Sequence, residues 1–193
     1  FGDVPASPAL ITADAIMNNT AELALSTNAP TGSLVRARWS TRVQFAALGI
    51  LSGAWGAHMP SIKQHFDLTE ASLSMLLLAV AFGVLSSLMF VGRVVERLTA
   101  RGAALIGGLL IATALAAILY APSFIFAFPI AFLLGASMSL FDVSINAEGT
   151  ELEHVGGKPI MSNLHGMFST GGMAGAALVA LLLRLEMMPA QQL

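Results

Sequence analysis

Asp142 and Asn146 stand four residues apart in the stretch Phe141-Asp142-Val143-Ser144-Ile145-Asn146, with apolar residues on either side. On a helix, residues three and four apart are neighbours, so Ser139, Asp142 and Asn146 fall on one strip, which Gly135 and Met138 extend. A hydroxyl, a carboxylate and an amide in that order can bind a proton or hydrogen-bond the hydroxyls of a solute. The same groups can instead hydrogen-bond another helix and hold a bundle together. An acid in the middle of an apolar span costs roughly 2.5–3.5 kcal/mol on insertion scales, so it is rarely left facing lipid. A functional role is therefore the first expectation for Asp142.

His165 heads another apolar run, with Ser169 one turn on. A proton relay through His165 and a brace for the loop before it are both open. Ser52 and Trp55 lie in an earlier run, where Trp55 either stacks on a sugar ring or anchors at a membrane interface. His58, close by, reads as an interface residue. Glu151, Glu153 and His154 carry metal-binding side chains, but no second histidine follows at ligand spacing, and no metal is expected. Gly107-Gly108 sit inside an apolar run and cradle no phosphate. No Ser-His-Asp grouping has a supporting motif, so neither an enzyme nor a cofactor is expected.

The elements that position these residues follow from composition. Of 193 residues, 56% are hydrophobic and only 10% charged, whereas soluble domains carry about 25% charged residues. The nine Lys and Arg are scattered and form no basic face, which excludes a nucleic-acid partner. The absence of cysteine removes disulfides, thiolate metal sites and cysteine nucleophiles. A lipid bilayer is the expected surrounding. Apolar runs of about 20 residues are long enough to cross it, and five are legible, at about 43–59, 69–91, 103–121, 124–147 and 164–183. The fold class is all-α, a polytopic membrane helix bundle.

Small residues at Gly49, Gly53 and Gly56 in the first span have the spacing that lets membrane helices approach closely. Thr69, with Glu70 behind it, reads as the cap of the second. Pro129 lies near the start of the fourth, where a missing hydrogen bond is best tolerated. Loops are expected at 61–68, at 92–101 and at 148–162, the last solvent-facing. Residues 39–187 form the transmembrane domain and 188–193 a truncated end. The chain begins with Phe, and residues 1–38 read as a disordered cytoplasmic tail with Met17 a candidate native start. Lys and Arg in the loops set orientation. Arg36, Arg38, Arg42, Arg93, Arg97, Arg101 and Lys158 fall on one side, and Lys63 and Arg184 on the other. The richer side, with the amino terminus, should be cytoplasmic.

The run Gly92-Arg93-Val94-Val95-Glu96-Arg97-Leu98-Thr99-Ala100-Arg101 resembles the signature loop of the major facilitator superfamily, roughly G-x-x-x-D-R-x-G-x-R. Gly92, Arg97 and Arg101 match, Glu96 replaces Asp, and Thr99 stands where a second Gly is usual. The run from Lys158 to Gly166 leading into Ser169 and Gly171-Gly172, with Asp142-Val143 and Asn146, is similar to bacterial inner-membrane members near the fucose-permease-like sugar transporters. The resemblance covers about residues 40–185. It implies five transmembrane helices of an amino-terminal six-helix half, with the carboxy-terminal half missing. It also implies a secondary transporter of a sugar-like or polar organic solute working by alternating access, with proton symport through a substrate or proton site at Asp142, Asn146, Ser139 and Trp55. Gly92, Glu96, Arg97 and Arg101 would form a cytoplasmic gate, Arg97 pairing with an acid at a helix end and Glu96 contacting the other half. An efflux exporter of the same fold, disfavoured by the lack of a Gly-Pro pair in span five, and an inactive fragment are the alternatives.

Overall fold

The computed structural model describes residues 31–185. Residues 1–30, including Met17 and most of the expected tail, and residues 186–193 lie outside the described residues. The chain divides into two compact units after Arg36, and the architecture below is that of the second. Five helices follow one another: α1 (Thr31–Ala57), α2 (Met59–His65), α3 (Glu70–Tyr120), α4 (Phe124–Gly156) and α5 (Met161–Arg184). There is no strand among the described residues. The helices α3, α4 and α5 are long and apolar enough to cross a membrane. The arginines in the first half of α1 leave it less apolar.

At 51 residues, α3 would be about 76 Å long if straight, more than twice the roughly 30 Å hydrocarbon layer. It is not straight. Thr99 has φ 64° and ψ 156°, outside helical geometry, and separates segments 70–98 and 100–120. The contacts with α4 show that the chain turns back there. Gly83 meets Phe132 and Gly107 meets Phe141. These partners are nine residues apart on α4, about 14 Å, but 24 residues apart on α3, about 36 Å along a straight helix. One cavity touches Phe90 and Val94 of the first segment and Leu110 of the second, against Leu133 and Leu140 of α4. Both segments therefore flank α4, the first parallel to it and the second antiparallel.

Backbone contact at small residues holds the helices together. A Cβ on Gly49 would run into the Phe168 carbonyl of α5, and one on Gly171 into the Ala46 carbonyl of α1. The first segment of α3 crosses α4 in the same way: Gly135 faces the Val80 carbonyl and Gly83 the Phe132 carbonyl. The two crossings map onto each other, Ala46 and Gly49 onto Phe132 and Gly135 (a shift of 86), and Phe168 and Gly171 onto Val80 and Gly83 (a shift of 88). The bundle thus contains one crossing built twice. Gly53 joins the α1–α5 contact at Gly172, whereas Gly56 has open space around it and packs against nothing. Only two of the three glycines expected to pack do so.

Several boundaries depart from the sequence expectations. Helix α1 reaches back to Thr31, so residues 31–38 are helical. The expected loop at 61–68 is taken up by α2, whose first turn accepts Pro60 because its amide would be unpaired there anyway. Most of the expected loop at 92–101 is helix up to Leu98. The expected loop at 148–162 is instead the continuation of α4 to Gly156, closed by Gly157 at φ 58°, and α5 begins at Met161. Thr69 does cap α3, accepting the Ser72 amide at 3.2 Å.

Thr99 explains its own presence. Its φ/ψ pair belongs to a region used almost only by glycine and costs about 1–3 kcal/mol. Its hydroxyl accepts the Gly102 amide at 3.4 Å, capping the second segment. Replacing a capping Thr by Gly loses only a few tenths of a kcal/mol, so Thr99→Gly should stabilise the protein by about 1 kcal/mol, while Thr99→Ala keeps the strain and loses the cap. Thermal unfolding in detergent should rank Gly above Thr above Ala. At the crossings, Gly49→Ala should lower the melting temperature and Gly56→Ala leave it unchanged; equal effects would refute the contact.

Candidate functional site

The strip foreseen on α4 meets the other helices at a cavity of about 360 Å³. Ser139 and Asp142 line it from α4, Ser52 and Leu48 from α1, Val84 and Leu88 from α3, and Phe168 from α5. Asp142 is exposed on this face. The Asn146 amide donates to Asp142 Oδ1 at 3.1 Å and to the Asp142 carbonyl at 2.9 Å. One turn of helix thus holds the carboxylate in place, by the i, i+4 relation read from the sequence. The other carboxylate oxygen faces no donor within hydrogen-bond range among the described residues. Ser139 is only 5% exposed, and neither its hydroxyl nor that of Ser52 has a hydrogen-bond partner among the described residues. Buried hydroxyls are normally paired, so two such groups on one cavity wall are notable.

Around this wall the other expected residues fall in different places. His165 lies near enough to Asp142 to act on its charge and packs edge-on against Phe45, centroids 5.5 Å apart. It does not line the cavity. The Ser169 hydroxyl turns back to the His165 carbonyl at 3.1 Å. Trp55 is buried, and it too is absent from the lining. Gly135 faces α3 rather than the cavity. His58, expected at an interface, is 2% exposed with neither ring nitrogen paired among the described residues; the elbow between α1 and α2 encloses it. Glu151, Glu153 and His154 share a surface recess, and no cluster of three or more metal-ligating side chains occurs among the described residues.

The residues of the expected gate gather elsewhere, at the end of the bundle that also holds Arg38 and Arg42. Glu96 and Arg97 are exposed, and among the described residues neither is in an ion pair. Arg101 is the arginine that pairs, its Nε 2.9 Å from Oε1 of Glu148. The geometry is simple: Arg101 opens the second segment of α3, which runs back along α4, whereas Arg97 precedes the break at Thr99. Glu148 was read as part of a solvent-facing loop but is buried on α4. The signal was available in the apolar period, since Ile145, Glu148 and Leu152 share one face of the extended helix. At the same end, Arg42 Nε donates to Asn163 Oδ1 at 2.9 Å and Arg38 to the Gly156 carbonyl at 3.3 Å. These bonds tie the start of α1 to the start of α5 and the end of α4. Gly92 is exposed with open space around it.

Comparison with known proteins places this geometry. An uncharacterized MFS-type transporter of Yersinia pestis is 33% identical over 153 residues, 78% of this chain and 39% of the relative. An uncharacterized transporter of Sinorhizobium fredii is 34% identical over 133 residues, 69% of this chain and 35% of the relative. The membrane protein MosC of Rhizobium meliloti is 33% identical over 132 residues, 68% of this chain and 32% of the relative. The chain is similar to membrane transporters. It spans between about a third and two fifths of the length of these relatives. No family model and no solved structure matches it.

The Arg101–Glu148 pair makes an asymmetric prediction. Arg101 is mostly open to solvent and Glu148 is not, so removing the arginine strands a buried carboxylate while removing the acid returns the arginine to water. Arg101→Ala should cost about 1–3 kcal/mol, the range for an unsatisfied buried group discounted for the exposure of its partner. Glu148→Gln should cost less, and the double variant should recover part of the loss. Chemical unfolding of the four proteins in detergent checks the order; a larger loss for Glu148→Gln alone would contradict it.

Proposed function

We propose that this chain is part of a secondary transporter of the major facilitator type that moves a small solute by alternating access, with Asp142 at the solute or proton site. The observation that carries the proposal is the cavity wall. A carboxylate held by Asn146 faces a common space whose remaining lining is apolar apart from Ser52 and Ser139, whose hydroxyls are buried without a partner among the described residues. An intramembrane acid facing a cavity is where transporters handle protons and substrates. The signature-like loop at 92–101 and the relative named as an MFS-type transporter support the family. The greater length of the relatives leaves room for a facing half that would supply the opposite wall. In this reading the end holding Arg38, Arg42 and Arg101 lies in the cytoplasm of a bacterium, the bundle sits in its inner membrane, and protons drive uptake. A sugar-like or other polar organic solute is what the family resemblance alone implies.

The test is blind to substrate. Full-length protein in proteoliposomes is adsorbed on a solid-supported membrane and challenged with sugars, polyols, amino acids and amines while charge movement is recorded. At least one solute should evoke a current in wild type, and Asp142→Asn should abolish it with unchanged incorporation. Currents that persist in the variant would take Asp142 out of the mechanism, and silence to every solute would end the transport reading.

A further inference from the structure

We infer that the solute recognised at this wall is an organic ammonium, a compact and largely apolar molecule carrying one protonated amine. The inference rests on the reading of Asp142 as the solute site and follows from what the wall offers. Its charge is that of Asp142, with no Lys or Arg in the lining. Asn146 occupies Oδ1 from the side, which leaves the second carboxylate oxygen to take a donor from the cavity. Ser139 and Ser52 belong to the lining, but their hydroxyl oxygens are buried and offer the cavity no acceptor. An ammonium group brings a positive charge and donors but no acceptor, the complement of a carboxylate whose second oxygen is free. The rest of the wall is Leu48, Val84, Leu88, Met138, Val143 and Phe168.

Other solute chemistries fit less well. An anion would meet a carboxylate with no cation beside it. A polyol carries hydroxyls around its whole rim, and six apolar side chains would strip water from them without replacing the hydrogen bonds. His165 stays outside the lining, so Asp142 is the charged group that a solute in the cavity meets. An apolar body with one charged donor pairs its charge with the free carboxylate oxygen and lays its body on the apolar lining.

Three probes of one shape separate these cases: cyclohexylammonium, cyclohexanol and cyclohexanecarboxylate. Binding to the purified full-length protein is measured by calorimetry against a detergent blank. The ammonium should bind at least tenfold more tightly than the alcohol, and the carboxylate should bind no better than the alcohol. Asp142→Asn should shrink the preference for the ammonium to threefold or less, while Asp142→Glu, which keeps the charge, should retain most of it. Equal or tighter binding of cyclohexanol, binding of the carboxylate, no binding of any probe, or a preference that survives Asp142→Asn would each overturn the inference. If neutral solutes evoke currents while the ammonium shows no preference, the transporter reading stands and only the solute class falls. If no solute evokes a current either, both fall together.

Discussion

Lipid tails are as apolar as leucine, so the hydrophobic effect does not press one membrane helix against another. What remains is close packing, and in this bundle it depends on places where a missing Cβ lets backbone touch backbone. The crossing of α1 with α5 and that of α3 with α4 are such places, and they use the same residue geometry. Their correspondence explains where the cavity lies. Carried across by the same shift, Gly53 of α1 falls on Ser139 of α4. At one crossing the position is glycine against the Gly172 carbonyl; at the other it is a serine in the lining of the cavity that holds Asp142. A packing position in one copy has become a chemical position in the other.

Electrostatics is kept to the ends and to that single wall. Arg38, Arg42 and Arg101 each find a carbonyl, amide or carboxylate oxygen at one end of the bundle. These contacts join helix starts and ends that no short loop connects, and they do so where water can still reach the charged groups. Charge inside the apolar layer needs a different solution, and the i, i+4 clasp of Asn146 on Asp142 is the one used here. It orients the carboxylate without neutralising it.

How much of this was legible follows from the range of each interaction. The helical class, the strip of Ser139, Asp142 and Asn146, the Thr69 cap and the packing roles of Gly49 and Gly53 are local or periodic properties, and the residues state them directly. Helix continuation past Ala147 was missed because acids at 148, 151 and 153 look like a loop, although Leu152 keeps the apolar period going. The choice of Arg101 over Arg97 was missed because it depends on which side of Thr99 each arginine stands. Thr99 was read only as a departure from the signature, and its φ of 64° is what shows the break there. Trp55 was read by type, as a stacking or interface residue, and His58 as an interface residue, and the burial of both is a tertiary fact that no spacing announces. That Ser52 and Ser139 line one cavity is equally non-local.

The close crossings also say something about time. In both, the helices that touch most intimately are not neighbours in the chain: α1 waits for α5, and the first segment of α3 waits for α4. Arg42 and Asn163, which meet at the α1–α5 contact, are 121 residues apart. Synthesis proceeds at about 5–20 residues per second, so α1 stays in the bilayer without its partner for on the order of ten seconds. Until then its glycine face is bare, and α1 is locked only once α5 has been made. During synthesis, the contact that fixes α1 therefore comes from a distant part of the chain and not from its own sequence neighbours.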